Sequence, residues 1–225
     1  MADATCAGRK VDHLGSPMTI EAADINLPMN LPMNRPMARY AAGGSTINTV
    51  APPAYTITAR VLHWVMAILI LSMIPLGLII SNDWGGPLQD FLYDLHRSIG
   101  ALIIPLILLR LIYRWTNPPS PLPDDIPAIQ QLAAHATHWC LYALLLVQPI
   151  VGWIATSAYR APIMVFGWFE LPPIWPENRV LSEQMFSIHG LIGLIIAGLV
   201  AVHMGGALFH HLVRKDGVLM RMITG

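Results

Sequence analysis

Residues 184–213 read QMFSIHGLIGLIIAGLVAVHMGGALFHHLV and contain no charged side chain. A helix needs about 20 largely apolar residues to cross the hydrocarbon core of a bilayer. The stretch is long enough for this, although it carries His189 and His203 among its apolar residues. It therefore predicts a membrane-spanning helix with two polar side chains inside the membrane, where such side chains are rare and mark functional sites.

The composition of the whole chain agrees with this prediction. Hydrophobic residues make up 55% of the 225 residues and charged residues 12%, whereas a soluble domain carries roughly 25% charged residues. Lys+Arg and Asp+Glu number 13 each, which leaves no basic excess for binding nucleic acid. Cys6 and Cys140 cannot form a disulfide framework, and the sequence has no C-x-x-C-H motif for covalent haem attachment. The chain is therefore predicted to be an integral membrane protein.

Four segments are apolar enough to cross a membrane, and they are expected at about 58–80, 91–115, 132–159 and 183–212. The predicted fold class is all-α, a transmembrane four-helix bundle in contact with membrane lipid. In the second span, Asp94, Arg97 and Arg110 are expected near the helix ends or inside the bundle. A loop rich in proline and tryptophan at 166–176 is typical of the membrane interface.

The first 54 residues differ in character from the rest of the chain. Prolines recur every four residues in the sequence LPMNLPMNRPM, which excludes a regular helix there. No apolar stretch followed by a small-residue cleavage site is visible, so a secretory signal is not expected. We predict an extended or disordered N-terminal arm at 1–54 and a four-span domain at 55–225. A disordered tail, a start misassigned upstream of Met37, and a strap that docks onto a partner subunit all fit the arm.

The distribution of lysine and arginine predicts the orientation in the membrane. Cytoplasmic flanks of membrane spans are enriched in these residues. The loop after the first span contains Asp83 and Asp90 but no lysine or arginine. The positive residues instead flank the first and last spans, as Arg9, Lys10, Arg35, Arg39 and Arg60, and as Arg214, Lys215 and Arg221. Both termini are therefore expected in the cytoplasm.

Four histidines are expected at two depths in the membrane. His63 lies near the cytoplasmic start of the first span, and His96 lies near the opposite side, at the start of the second. His189 begins the fourth span on the same side as His96, and His203 follows fourteen residues later. Fourteen steps of about 100° return to nearly the same helix face, roughly 21 Å further along the axis. The fourth span therefore offers one histidine at each depth, and each has a partner on another span.

This pattern is expected of two haems, each bound by two histidines, inside a helical bundle. Two axial imidazoles leave no open position on the iron, which favours electron transfer over oxygen chemistry. Glycines near these histidines are small enough to admit a macrocycle, namely Gly100, Gly190, Gly193, Gly205 and Gly206. A single histidine in a membrane helix more often makes a hydrogen bond or lines a proton path. Four of them at matched depths favour haem ligation.

Three other histidines leave alternatives open. His210 lies seven residues after His203 on a similar face, so spacing alone does not exclude it as a ligand. It is also the candidate quinone contact, or a residue that interacts only with the helix C-terminus. His135 and His138 begin the third span, where they fit ligands, quinone contacts or polar residues of the interface. The interface interpretation is the favoured one.

Several motifs resemble those of the bacterial cytochrome b561 family. They are Arg60-Val-Leu-His63-Trp64, Leu95-His96 with Gly100, His135-Ala-Thr-His138, Ser187-Ile-His189-Gly190, and His203 followed by FHHLVRKDGVLMRM ending at Met222. The resemblance covers about 55–222 and says nothing about the arm. It implies a four-helix cytochrome b domain with two b haems, whose axial ligands fall on His63, His96, His189 and His203. The depths pair His63 with His203 and His96 with His189.

The resemblance implies electron transfer with quinone as one partner. In one hypothesis the protein is a superoxide:ubiquinone oxidoreductase, with Arg97, Arg160 and Arg179 as the cations that attract superoxide. In the alternative it is a haem-bearing membrane anchor of a larger redox complex, docked through the arm, or it forms a homodimer. A channel or transporter whose histidines relay protons is a third hypothesis, and it predicts no bound haem.

Overall fold

The computed structural model describes residues 55–82, 84–118 and 126–224, and the predicted N-terminal arm lies outside this part. Within it, four helices are long and apolar enough to cross a membrane. They are α1 at Ile57–Ile80, α2 at Pro87–Thr116, α3 at Ala128–Tyr159 and α4 at Arg179–Phe209. A π-helical turn at His210–Arg214 extends α4, and a short helix α5 follows at Met220–Ile223. The predicted all-α transmembrane fold is thus confirmed.

Three of the long helices begin four residues earlier than the apolar pattern predicts. Their first turns are polar, so a search for apolar residues misses them. Pro87 starts α2, where proline is well tolerated because its missing N–H would be unpaired in any case. The side chain of Asn178 accepts a hydrogen bond from the Leu181 N–H at 3.0 Å and caps α4. A proline in the first turn of α2 and an asparagine cap on α4 therefore favour the starts of these two helices.

The helices pack in sequence order, with α1 against α2, α2 against α3 and α3 against α4. By contrast, α1 and α4 touch only marginally. The buried core lies between the helices and consists of Met66, Ile70, Ile107, Tyr142 and Ile196. Many large apolar side chains on the outside remain exposed, as expected of surfaces that face lipid.

The connection between α3 and α4 is folded against the helix ends. It contains a small antiparallel hairpin of β1 at Met164–Val165 and β2 at Phe169–Glu170. The buried Ser98 of α2 holds this hairpin, because its hydroxyl donates to the Met164 carbonyl at 3.1 Å and accepts from the Phe166 N–H at 2.9 Å. The predicted interfacial loop is therefore an ordered cover over one end of the bundle.

The opposite end of the bundle is closed by residues far apart in sequence. The Arg60 side chain donates to the Ile223 carbonyl, and the Trp64 indole N–H donates to the Met222 carbonyl at 3.0 Å. The first turns of α1 are therefore tied to the short helix α5.

Candidate functional site

Each long helix carries two residues of the candidate site, and these two residues are fourteen positions apart. These are His63 and Gly77 on α1, His96 and Arg110 on α2, His138 and Gly152 on α3, and His189 and His203 on α4. Because neighbouring helices run in opposite directions, the eight positions fall at two levels. We call them the His63 level (His63, Arg110, His138, His203) and the His96 level (Gly77, His96, Gly152, His189).

At the His63 level, three imidazole rings lie close together. The ring centres of His63 and His203 are 6.1 Å apart, with an angle of 65° between the ring planes. The ring of His138 lies 5.1 Å from that of His203. The structure therefore brings together the predicted pair and adds His138, which the sequence interpretation favoured as a residue of the interface.

Arg110 is the charged residue of the His63 level. Its Nη2 lies 2.8 Å from His63 Nδ1, and its Nε donates to the Tyr142 hydroxyl at 3.1 Å. Its Nη1 is buried and has no hydrogen-bond partner among the described residues. The Arg114 guanidinium, one turn further along α2, lies 5.7 Å from the centre of the Tyr142 ring. This level therefore combines imidazoles with positive charge inside the membrane.

At the His96 level, the ring centres of His96 and His189 are 6.0 Å apart, with 72° between the ring planes. His189 Nδ1 lies 3.1 Å from the Gln148 carbonyl oxygen, so this nitrogen carries the proton and donates it. The Gln148 side chain in turn donates to the His189 carbonyl at 2.9 Å. This arrangement orients the ring and leaves Nε2 free to bind a metal, as is usual for metal-binding histidines.

Two glycines lie directly behind the histidines of this level. A Cβ atom at Gly152 would meet His189 Cε1 at 2.9 Å and Nδ1 at 3.1 Å. A Cβ atom at Gly77 would meet His96 Cε1 at 3.4 Å. Sequence reasoning missed both glycines, although the spacing of fourteen residues from His63 and His138 was the signal that points to them. Of the glycines it named, Gly190, Gly205 and Gly206 have no other protein atom within 4 Å of the position of a Cβ atom.

The geometry of both histidine pairs fits an iron ion bound between the rings. An imidazole nitrogen lies about 2 Å from a bound metal ion and about 1 Å from its own ring centre, so two opposed ligands have ring centres roughly 6 Å apart. The measured separations are 6.1 and 6.0 Å. The described residues contain no group of three or more His, Cys, Asp or Glu that could hold a metal ion. Pairs of this kind suit a haem, whose porphyrin supplies the other ligands.

The remaining predicted residues lie away from the two pairs. His135 is exposed, and its Nδ1 donates to the Gln131 carbonyl at 2.7 Å. His210 Nδ1 is 2.5 Å from Asp216 Oδ2, which also accepts from Arg214 Nε at 3.1 Å. Burial raises the pKa of the Asp216 carboxyl, but the hydrogen bonds from His210 and the Val218 N–H outweigh it and hold this pKa below its ordinary value. His210 thus belongs to a polar network at the end of α4.

A four-helix membrane bundle with facing histidines at two depths has the architecture of a membrane-bound b-type cytochrome. A model of the family described as prokaryotic cytochrome b561 matches residues 54–225. The chain belongs to this family, as its motifs predict. Family membership supports membrane electron transfer with b-type haem in a bacterial multi-pass membrane protein.

Individual relatives agree with this assignment. Cytochrome b561 homolog 2 of Escherichia coli (strain K12) is 32% identical over 177 residues, which cover 78% of this chain and 94% of the relative. Cytochrome b561 homolog 1 of the same organism is also 32% identical, over 72% of this chain and 92% of the relative. A protein of Yersinia pestis named probable superoxide oxidase CybB is 28% identical, over 72% of this chain and 91% of the relative.

Proposed function

We propose that the protein carries electrons across the bacterial inner membrane through two b haems, one at each level. His63 and His203 would hold the haem at one level, and His96 and His189 would hold the haem at the other. The observation that carries this proposal is the pair of ring separations, 6.1 and 6.0 Å, between histidines on facing helices. Haem b supplies one-electron chemistry between ferric and ferrous iron. With a histidine on each side, the iron would have no open position for oxygen, so each site would only accept and release electrons.

The bundle is proposed to stand with both termini in the cytoplasm. Arg60 and Arg114 lie at the end of the bundle that contains the His63 level, as do Arg214, Lys215 and Arg221. Positive residues of this kind are enriched on the cytoplasmic side. The His63 level then lies towards the cytoplasm, and the His96 level and the β1–β2 hairpin face the periplasm.

Quinone is the proposed electron acceptor at the His63 level, with His210 as its candidate contact. His210 is half-buried at the end of α4, and Asp216 already orients its ring through Nδ1. With Nδ1 donating to Asp216, the other ring nitrogen, Nε2, is an acceptor and suits a hydrogen bond from the hydroxyl of the quinol product. The proposed ligand is ubiquinone, which takes up two electrons and two protons to become ubiquinol.

The proposed reaction is oxidation of superoxide by ubiquinone. Two superoxide anions each lose one electron and become dioxygen, and one ubiquinone gains both electrons together with two protons. The relative named probable superoxide oxidase supports this choice. The periplasmic arginines contribute less than their number suggests, because Arg97 pairs with Asp94 at 3.3 Å, and Glu177 lies 3.8 Å from Arg160 and 3.9 Å from Arg179.

The alternative function is a haem-bearing anchor that passes electrons between quinone and a partner protein. The N-terminal arm at 1–54 and the tryptophan-rich hairpin loop motivate it. Trp168, at the hairpin turn, is 85% exposed, as expected of an interface residue that meets either lipid or another protein.

Haem analysis of the detergent-solubilised protein tests the common part of both functions. We expect two b haems per chain and a b-type reduced-minus-oxidised spectrum. Folded protein without haem would overturn the proposal and favour the proton-relay hypothesis. With superoxide and a soluble ubiquinone analogue supplied, quinone reduction without any second subunit supports the oxidoreductase. A haem-loaded protein that reduces quinone only together with a co-purified partner supports the anchor.

A further inference from the structure

The two levels differ in the electric charge that surrounds their histidines. Arg110 touches His63 at 2.8 Å and lies within electrostatic range of His203. Among the described residues, no carboxylate forms a hydrogen bond or ion pair with Arg110, whose partners are His63 and the Tyr142 hydroxyl. Arg114 adds a second positive charge one turn away, beside the same tyrosine. The described side chains at and next to the His63 level therefore carry a net positive charge.

The His96 level lacks a comparable charge. Among the described residues, Arg97 is the cation that interacts electrostatically with His96, but it forms an ion pair with Asp94 at 3.3 Å and also donates to the Pro162 carbonyl. In addition, His189 donates from Nδ1 to a backbone carbonyl, and such a bond raises the basicity of a ligand histidine. A more basic ligand stabilises ferric iron, which carries the higher charge. Both features at this level thus favour the oxidised form.

Reduction of a haem iron removes one positive charge from its site. A fixed positive charge nearby makes that step more favourable, and the effect is large where the medium is weakly polar. We propose that Arg110 makes the haem at the His63 level the more easily reduced of the two. Electrons then move downhill from the His96 level to the His63 level, towards the proposed quinone. This inference rests on the proposed function, because it requires a haem at each level.

A potentiometric titration of the haem-loaded protein tests the role of Arg110. In Arg110→Gln, we expect one midpoint potential to fall and the other to remain unchanged. The expected change is at least tenfold in the equilibrium constant for reduction, equivalent to 59 mV for a one-electron couple. Tyr142→Phe is the matched control, since it removes a contact of Arg110 but keeps the charge, and it should leave both potentials near the wild-type values. Arg110→Gln with two haems and unchanged potentials would overturn the inference.

If Arg110→Gln fails to retain haem, variants that bind a single haem test the same inference. His96→Ala keeps the haem of the His63 level, and His63→Ala keeps that of the His96 level. We expect the reduction equilibrium constant to be at least tenfold larger in His96→Ala than in His63→Ala. Equal constants or the reverse order would contradict the inference. Failure of the proposed function is a separate result, because wild-type protein would then bind fewer than two haems.

Discussion

The His63 level and the His96 level are built from the same helices by the same spacing, yet they are chemically different. At the His96 level, Gly77 and Gly152 give the rings a close-fitting backbone surface, and a carbonyl oxygen orients His189. At the His63 level, the two positions outside the predicted ligand pair are occupied by Arg110 on α2 and His138 on α3. The proposed function would therefore place the same type of cofactor at both levels, while the residues around the two histidine pairs differ.

The strongest test of the two levels is a comparison of His203→Ala with His138→Ala. Both rings belong to the His63 level, but the 6.1 Å separation that suits a shared iron is between His63 and His203, while His138 lies 5.1 Å from His203. We expect His203→Ala to lose one of two haems, halving the haem content measured against protein concentration. His138→Ala should retain both. The opposite result would make His138 the ligand and change the pairing at this level.

The second test concerns the glycine surface at the His96 level. In Gly152→Ala, the new methyl group would lie 2.9 Å from His189 Cε1, so the ring must move away from its carbonyl partner. Overpacking of this kind costs about 1–3 kcal/mol. We expect a lower thermal midpoint and partial loss of one haem, measured by differential scanning fluorimetry and absorbance.

Gly198→Ala is the matched control for that substitution. Gly198 follows His189 by nine residues on α4, which places it on the opposite face of the helix, and nothing lies within 4 Å of the Cβ atom it would carry. Haem content and thermal midpoint should therefore match the wild type. If Gly152→Ala and Gly198→Ala behave alike, close approach of Gly152 to the ring is not what the His96 level requires.

The spans and the histidine pairs were predictable from the sequence because both depend on local periodicity. Apolar length defines a span, and fourteen residues return to the same face of a helix. The same rule places Gly77, Arg110 and Gly152, but glycine and arginine have many other roles in membrane helices, so their spacing alone was not distinctive. That Gly152 touches His189 depends on how closely α3 and α4 pack. A single sequence does not specify that distance.

The third test concerns the positive residues at the end of the bundle that contains the His96 level. Replacement of Arg97, Arg160 and Arg179 by Gln should lower the rate of superoxide-driven quinone reduction, with haem content unchanged, because positive charge attracts the anion. Glu177→Gln should raise the rate, since Glu177 is the ion-pair partner of both Arg160 and Arg179. We expect changes of about two- to fivefold at low ionic strength that diminish as salt is added. If none of the four substitutions changes the rate, electrostatic attraction of superoxide at this end is excluded.

The smallest expected effect lies beyond the His63 level, at Asp216. Because the pKa of Asp216 is lowered, its ionised carboxylate stabilises the folded protein at a pH above 3.8, the ordinary pKa of this group. This stabilisation is lost as the pH falls through the lower pKa of the folded state. Asp216→Asn should therefore reduce stability at pH 7 by about 1 kcal/mol. The difference from wild type should narrow below about pH 3.8 in thermal unfolding experiments. A difference independent of pH would show that the charge of Asp216 is not what matters.

The contacts of Arg60 and Trp64 close the end of the bundle that contains the His63 level, here called the His63 end. They also determine which end of the bundle is completed first during biosynthesis. The partners of Arg60 and Trp64 at this end follow them by 163 and 158 residues. At translation rates of about 5–20 residues per second, the partners emerge roughly 8 to 30 s after α1. Throughout that interval, the start of α1 is without its final partners. The His96 end, whose hairpin contacts Ser98 over only 66 and 68 residues, is completed first, so the His63 end remains accessible for the longer time during assembly.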